Sequence, residues 1–146
     1  IVSEDGSSFW IFEKSDSTRR ARVYKSPVDV HLFSPDKTHE LEEIGGFDAP
    51  GFSIPKGYMI TAADLCPNPL ALVLRGYTGA WQYSLQSLDD LSRLDEINPH
   101  TVFLGPLAEP QGEAIAYNIE DRSIWSVSED PSGDGNQPIH QTRCMD

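Results

Sequence analysis

The apolar residues of this chain fall in short runs separated by turn residues. Residues 9–12 read Phe-Trp-Ile-Phe after the polar turn at 4–8. Residues 21–25 alternate around Val23 and Tyr24, and further runs lie at 58–61, 70–74, 80–83, 101–104, 114–117 and 124–127. Runs of about four to eight residues, bounded by Gly, Pro, Asn and Asp, predict β-strands. Residues 39–44 read as a weaker, charged strand suited to a sheet edge. Pro and Gly cluster at 45–57 and 105–112, which predicts long turns. Strands of the same character continue on both sides, so neither cluster is a domain linker.

One stretch breaks the pattern. Leu85, Leu88, Leu91 and Leu94 recur every third position, with Asp89 and Asp90 between them. This predicts one short helix over residues 86–94, its leucines facing a core.

The order of strands repeats. Residues 60–64, a turn at 67–69, residues 70–75, a second turn and residues 80–83 form one unit. Residues 112–117, a turn at Glu120 and Asp121, residues 123–128, a loop and residues 138–140 form the next. The opening of the chain gives the same order: Ile1 and Val2, a turn at Asp5 and Gly6, residues 9–12, a loop and residues 22–24. On this alignment Asp64 and Glu113 occupy equivalent places in the first strands of their units. A four-stranded unit of about 40–50 residues is the period of a β-propeller blade. The expected fold class is therefore all-β: a partial β-propeller with blade units near 1–44, 58–104 and 112–146, the first and last incomplete. Incomplete blades have bare edges, so another polypeptide, or the remainder of the same propeller, is expected to cover both cut ends. A β-sandwich is the rival architecture.

These residues resemble a known family. The segments 60–64, 72–81, 110–117 and 127–129 are similar to secreted six-bladed β-propeller proteins of the broad phytase-like type, and the resemblance covers most of the chain. It implies an extracellular or lumenal location. In the phytase branch, acids at the tops of inner strands hold calcium ions that polarise a phosphate for attack by water. The resemblance puts Glu113 on the acidic position of that pattern and Asp64 one blade earlier.

In such a propeller Asp64 and Glu113 lie near the channel, and Lys14, Arg75 and Glu129 end strands close to the same face. A ring of mixed acids and bases suits calcium or a small anion. It equally suits an ion-pair network that locks neighbouring blades. The sharpest local motif is the loop 130–136, where Asp130, Ser132, Asp134 and Asn136 place oxygen atoms at alternate positions and Gly135 permits a sharp turn. A hard cation needs several oxygens converging at about 2.4 Å, although Asp-, Ser- and Gly-rich segments are also ordinary hairpin loops.

Composition narrows the classes further. The chain of 146 residues carries 11 Lys and Arg against 23 Asp and Glu, a net charge of −12. Such a balance disfavours nucleic acid and anionic membrane surfaces as partners. No apolar run approaches the roughly 18 residues needed to cross a bilayer, so membrane insertion is not expected. The start at Ile1, with Glu4 and Asp5 close behind, is not a signal peptide and implies processing or trimming. Two cysteines, Cys66 and Cys144, allow one disulfide or two buried thiols. His31, His39, His100 and His140 show no zinc-ligand spacing. Trp10, Trp81 and Trp125 read as core residues.

Two functions fit. The first is a non-catalytic extracellular binding and scaffold module, stiffened by calcium. The second is a calcium-dependent hydrolase of phosphate or carboxylic esters, with its site at the channel.

Overall fold

The computed structural model describes residues 1–15, 18–27, 29–51, 58–104, 111–130, 133, 135 and 137–143. The fold is all-β. The first antiparallel sheet consists of β1 (Trp10–Phe12), β2 (Arg20–Lys25) and β3 (Glu42–Asp48) in sequence order. Val2 bridges Phe9 at its start. The middle sheet is a four-stranded meander of β4 (Ile60–Pro67), β5 (Leu70–Gly76), β6 (Gly79–Ser84) and β7 (His100–Val102). The third holds β8 (Gly112–Asn118), β9 (Ser123–Ser128) and β10 (Ile139–Arg143).

The middle sheet is buried on both faces, which explains the continuous apolar run of β5. Side chains alternate across a strand. Leu72 and Leu74 face the first sheet, where they join Trp10, Val23 and Phe47. Ala71 and Val73 face the third, against Ile115 and Ile124. Cross-strand partners follow the same parity: Tyr83 and Trp81 lie opposite Leu72 and Leu74 and share the first core. The Phe47 ring meets Tyr83 edge-on, with centroids 6.2 Å apart, and stitches the first sheet to the middle one.

β5 and β6 are joined by only Tyr77 and Thr78, whereas residues 129–138 separate β9 from β10. β8 packs along β4 and β5, so the middle and third sheets meet through the third sheet's first strand.

The expected single helix over residues 86–94 is two 3₁₀ segments instead, Leu88–Ser92 and Leu94–Glu96. A leucine at every third position is the 3.0-residue repeat of a 3₁₀ helix, in which i and i+3 eclipse. Leu85, Leu91 and Leu94 are buried as expected. Ser87 caps the first segment: its side chain accepts from Asp89 N–H, and Asp90 completes a capping box. The buried Asp90 carboxylate accepts from Gln86 N–H at 2.6 Å and from Ser87 N–H at 3.2 Å, and pairs with Arg93 at 2.6 Å.

The strand expected at 39–44 runs instead from Glu42 to Asp48 and includes Gly45 and Gly46, which the sequence suggested were the start of a turn. A Cβ on Gly45 would lie 2.1 Å from the Ser92 carbonyl oxygen. Glycine is needed there because the 3₁₀ segment passes directly over the strand. Trp10 and Trp81 are core residues, but Trp125 lies 38% exposed on the outward face of the third sheet.

Candidate functional site

Register first corrects the alignment of the repeat. Arg75 pairs with Ala62 and Gly76 with Ile60, which leaves Thr61 in a bulge. Val127 pairs with Ala114 and Ser128 with Gly112, which leaves Glu113 in a bulge of the same kind. Thr61, and not Asp64, is therefore the counterpart of Glu113. Asp64 stands three positions further along β4, roughly 10 Å at about 3.4 Å per residue, and its counterpart in β8 is Ala116. A bulge re-aims the side chain it carries and is over-represented beside functional sites.

The two bulges face each other. Thr61 Oγ1 donates to the Gly112 carbonyl at 2.8 Å and lies 3.3 Å from that of Arg75. The Gly112 N–H reaches the Tyr77 carbonyl at 3.4 Å. The Arg75 side chain, 2% exposed, crosses over Gly112: a Cβ there would sit 1.9 Å from Arg75 Nε.

Around this buried base lies a partly open polar rim. Lys14 Nζ stands 3.7 Å from Glu113 Oε2 and 4.7 Å from the centre of the Tyr77 ring. The Tyr77 side chain raises the Lys14 pKa most, burial opposes this, and the Glu113 charge adds to the rise. Gln111 uses one amide nitrogen to bridge two carboxylates, donating to Glu113 Oε1 at 3.1 Å and to Glu129 Oε2. Ser128 and Gln111 hold one another in place: Gln111 N–H donates to Ser128 Oγ at 3.0 Å, and Ser128 Oγ donates back to the Gln111 carbonyl at 2.8 Å. The Glu129 N–H also donates to the Gln111 carbonyl, at 2.8 Å.

Thus Lys14, Arg75, Glu113 and Glu129 come together at one end of the strands. Asp64 does not join them. Its Oδ1 accepts from Leu65 N–H at 2.9 Å and its Oδ2 from Tyr117 N–H at 2.7 Å, which ties β4 to β8. Thr61, Tyr77 and Gln111 complete the rim and were not singled out from the sequence. The weak signal for them was polar side chains beside Gly76 and Gly112.

The loop 130–136 is described only in part. Asp130 accepts from Gly133 N–H at 3.0 Å and from Gly135 N–H, so both carboxylate oxygens hold the loop's own backbone. Gly133 and Gly135 adopt φ of +76° and +73°, which side-chain-bearing residues rarely do. Ser132, Asp134 and Asn136 lie outside the described residues. Among the described residues no three His, Cys, Asp or Glu side chains converge as a metal would require. Cys66 is buried in the core between the middle and third sheets, while Cys144, its partner in one disulfide or the second of two thiols, lies outside the described residues. No helix among the described residues is long and apolar enough to cross a membrane.

Chemically, the rim offers one ammonium, two carboxylates and a primary amide over a buried guanidinium. It can bind a small polar or zwitterionic group through both signs of charge. No protein-family model, curated protein or solved structure matches the chain.

Proposed function

We propose that the three sheets are successive blades of a β-propeller of the secreted, phytase-like type that the sequence resembles. In this reading the protein is a non-catalytic extracellular or lumenal binding and scaffold module, and the Lys14, Arg75, Glu113 and Glu129 rim is its binding face.

The open face of the third sheet carries the proposal. A shift of 52 positions lays Ala62, Val73 and Arg75 on Ala114, Trp125 and Val127, and the neighbouring Ala80 and Gln82 correspond to Ile139 and Gln141. In the middle sheet the third sheet packs over this face, with Val73 and Ala80 in the core between them. Among the described residues the same face of the third sheet is open, with Ile139 67% exposed. Repeating the packing once more would bury it under a further sheet, from the remainder of the same propeller or from another polypeptide. Hydroxyl-radical footprinting of the intact protein tests this. Trp125 should be oxidised as slowly as the buried Trp10. Oxidation as fast as that of an exposed aromatic such as Phe103 would remove the reading.

The hydrolase alternative draws less support. Its two channel acids are separated along the strands, and Glu113 is already paired with Lys14. Calcium enters the scaffold reading only through the loop that Asp130 begins. A melting temperature that rises with added calcium and falls with a chelator supports that role. Indifference to both removes it.

A further inference from the structure

Away from the rim, the β4–β5 turn, the chain start and the β8–β9 turn enclose a cleft of about 280 Å³. Its walls include Leu65, Leu70, Leu88 and Ile119, and its charged groups are the carboxylates of Glu4 and Asp64. Among the described residues no Lys, Arg or His lines it. Ile119 is 68% exposed and Val2, at its mouth, 60%.

We infer that this cleft is a binding site for a small aliphatic ammonium ion, a primary amine on a short hydrocarbon chain. Three features select that chemistry. The first is size: the volume equals roughly nine waters at about 30 Å³ each, below the usual range of drug-sized pockets. The second is the wall, which is branched aliphatic carbon that would be removed from water by an alkyl chain. The third is charge. Two carboxylates with no cation among the described lining residues favour a positive head group and repel a carboxylate or phosphate.

Asp64 is placed to take the ammonium. A carboxylate offers about four acceptor positions, and the N–H groups of Leu65 and Tyr117 take one on each oxygen. Those two bonds also fix its orientation, so little ordering is needed on binding. The Ile1 nitrogen donates to the Trp10 carbonyl at 3.1 Å and is not among the groups that line the cleft. Glu4 in the cleft wall adds long-range attraction, and the net charge of −12 raises the local concentration of cations.

The test is a titration of the intact, methyl-labelled protein with n-hexylammonium, 1-hexanol and hexanoate, followed by NMR. Hexylammonium should shift the methyl signals of Leu65, Leu88 and Ile119, with an affinity at least tenfold above that of hexanol, and hexanoate should shift none. Asp64→Asn should weaken hexylammonium at least tenfold. Glu4→Gln, at an exposed position, should weaken it about threefold and keeps the test decisive if the Asp64 variant fails to fold. Equal affinity for hexanol and hexylammonium would overturn the inference, as would binding unchanged by Glu4→Gln, or methyl signals that no amine moves.

Discussion

The guanidinium of Arg75 fills the space in which a Cβ of residue 112 would have to lie, 1.9 Å from its Nε. Arg75 is the last residue but one of β5 in the middle sheet and Gly112 begins the third sheet, so this contact joins the two beneath the polar rim. Gly112→Ala should therefore destabilise the protein by about 1–3 kcal/mol, the usual cost of overpacking a filled site. Arg75→Met in the same chain should recover part of that loss, because a slimmer side chain leaves room for the methyl group. A double-mutant cycle in urea should give a coupling on the order of 1 kcal/mol. Strict additivity would mean that the two residues do not compete for space.

The Lys14–Glu113 pair distinguishes a ligand rim from a structural lock. Both side chains are partly exposed, at 42% and 31%. An ion pair in that setting contributes about 0.2–1 kcal/mol. Glu113→Gln should therefore shift the unfolding free energy by less than about 1 kcal/mol. A loss above about 3 kcal/mol would mark a buried-type lock instead. The pH dependence has a definite sign. The folded pKa of Lys14 is raised, so its contribution is fully present below the unfolded value near 10.4. It is lost as the pH climbs through the higher folded value. Alkaline urea titrations of the wild type and the variant should diverge below that window and converge above it.

Asp90 behaves in the opposite sense. The Arg93 guanidinium first, and then the N–H groups of Gln86 and Ser87, hold its carboxyl below the usual carboxylate range. Its stabilisation is present above the unfolded value near 3.9 and disappears as the pH falls through the depressed folded value. Between pH 7 and pH 3 the urea midpoint should fall for the wild type, and by less for Asp90→Asn. Parallel falls in the two proteins would show that other carboxylates govern the acid limb.

Leu72 is fully buried where the middle sheet meets the first. Leu72→Ala should cost about 2–5 kcal/mol by equilibrium unfolding. Leu32→Ala, at a side chain 74% exposed, should stay within about 0.5 kcal/mol. Similar losses at the two sites would argue against the two-sided burial of β5.

Much of the strand pattern was legible because burial leaves its mark on sequence. β5 is covered on both faces, and its unbroken apolar run records that. The leucines at 85, 88, 91 and 94 announce a helical segment but not its type, since over so few turns the 3₁₀ and α repeats barely separate. The rim was legible only in part. Lys14, Arg75, Glu113 and Glu129 follow from strand order alone. Asp64 was misaligned because the repeat was matched by residue type, whereas its true register turns on the bulges at Thr61 and Glu113. Trp125 reads as a core residue but lies on the open face of the third sheet, because hydrophobicity does not say which element covers the face a strand presents. Its pairing with Ala116 and Gln141 sets it outward.

The junction after the second strand of each sheet has a practical consequence. In the middle sheet Tyr77 and Thr78 suffice to close it, while in the third sheet the same junction spans residues 129–138. The ladders on either side keep their antiparallel pairing in both cases. For a flexible loop, lengthening costs only about 0.6 kcal/mol per doubling, which is small beside the two ladders that flank this junction. A peptide grafted after Thr78 would be displayed beside Lys14 and Glu113 while β5 and β6 stayed paired. In the proposed binding module, this junction is where the binding face could be varied, by natural insertion or by engineering, without redesigning the core.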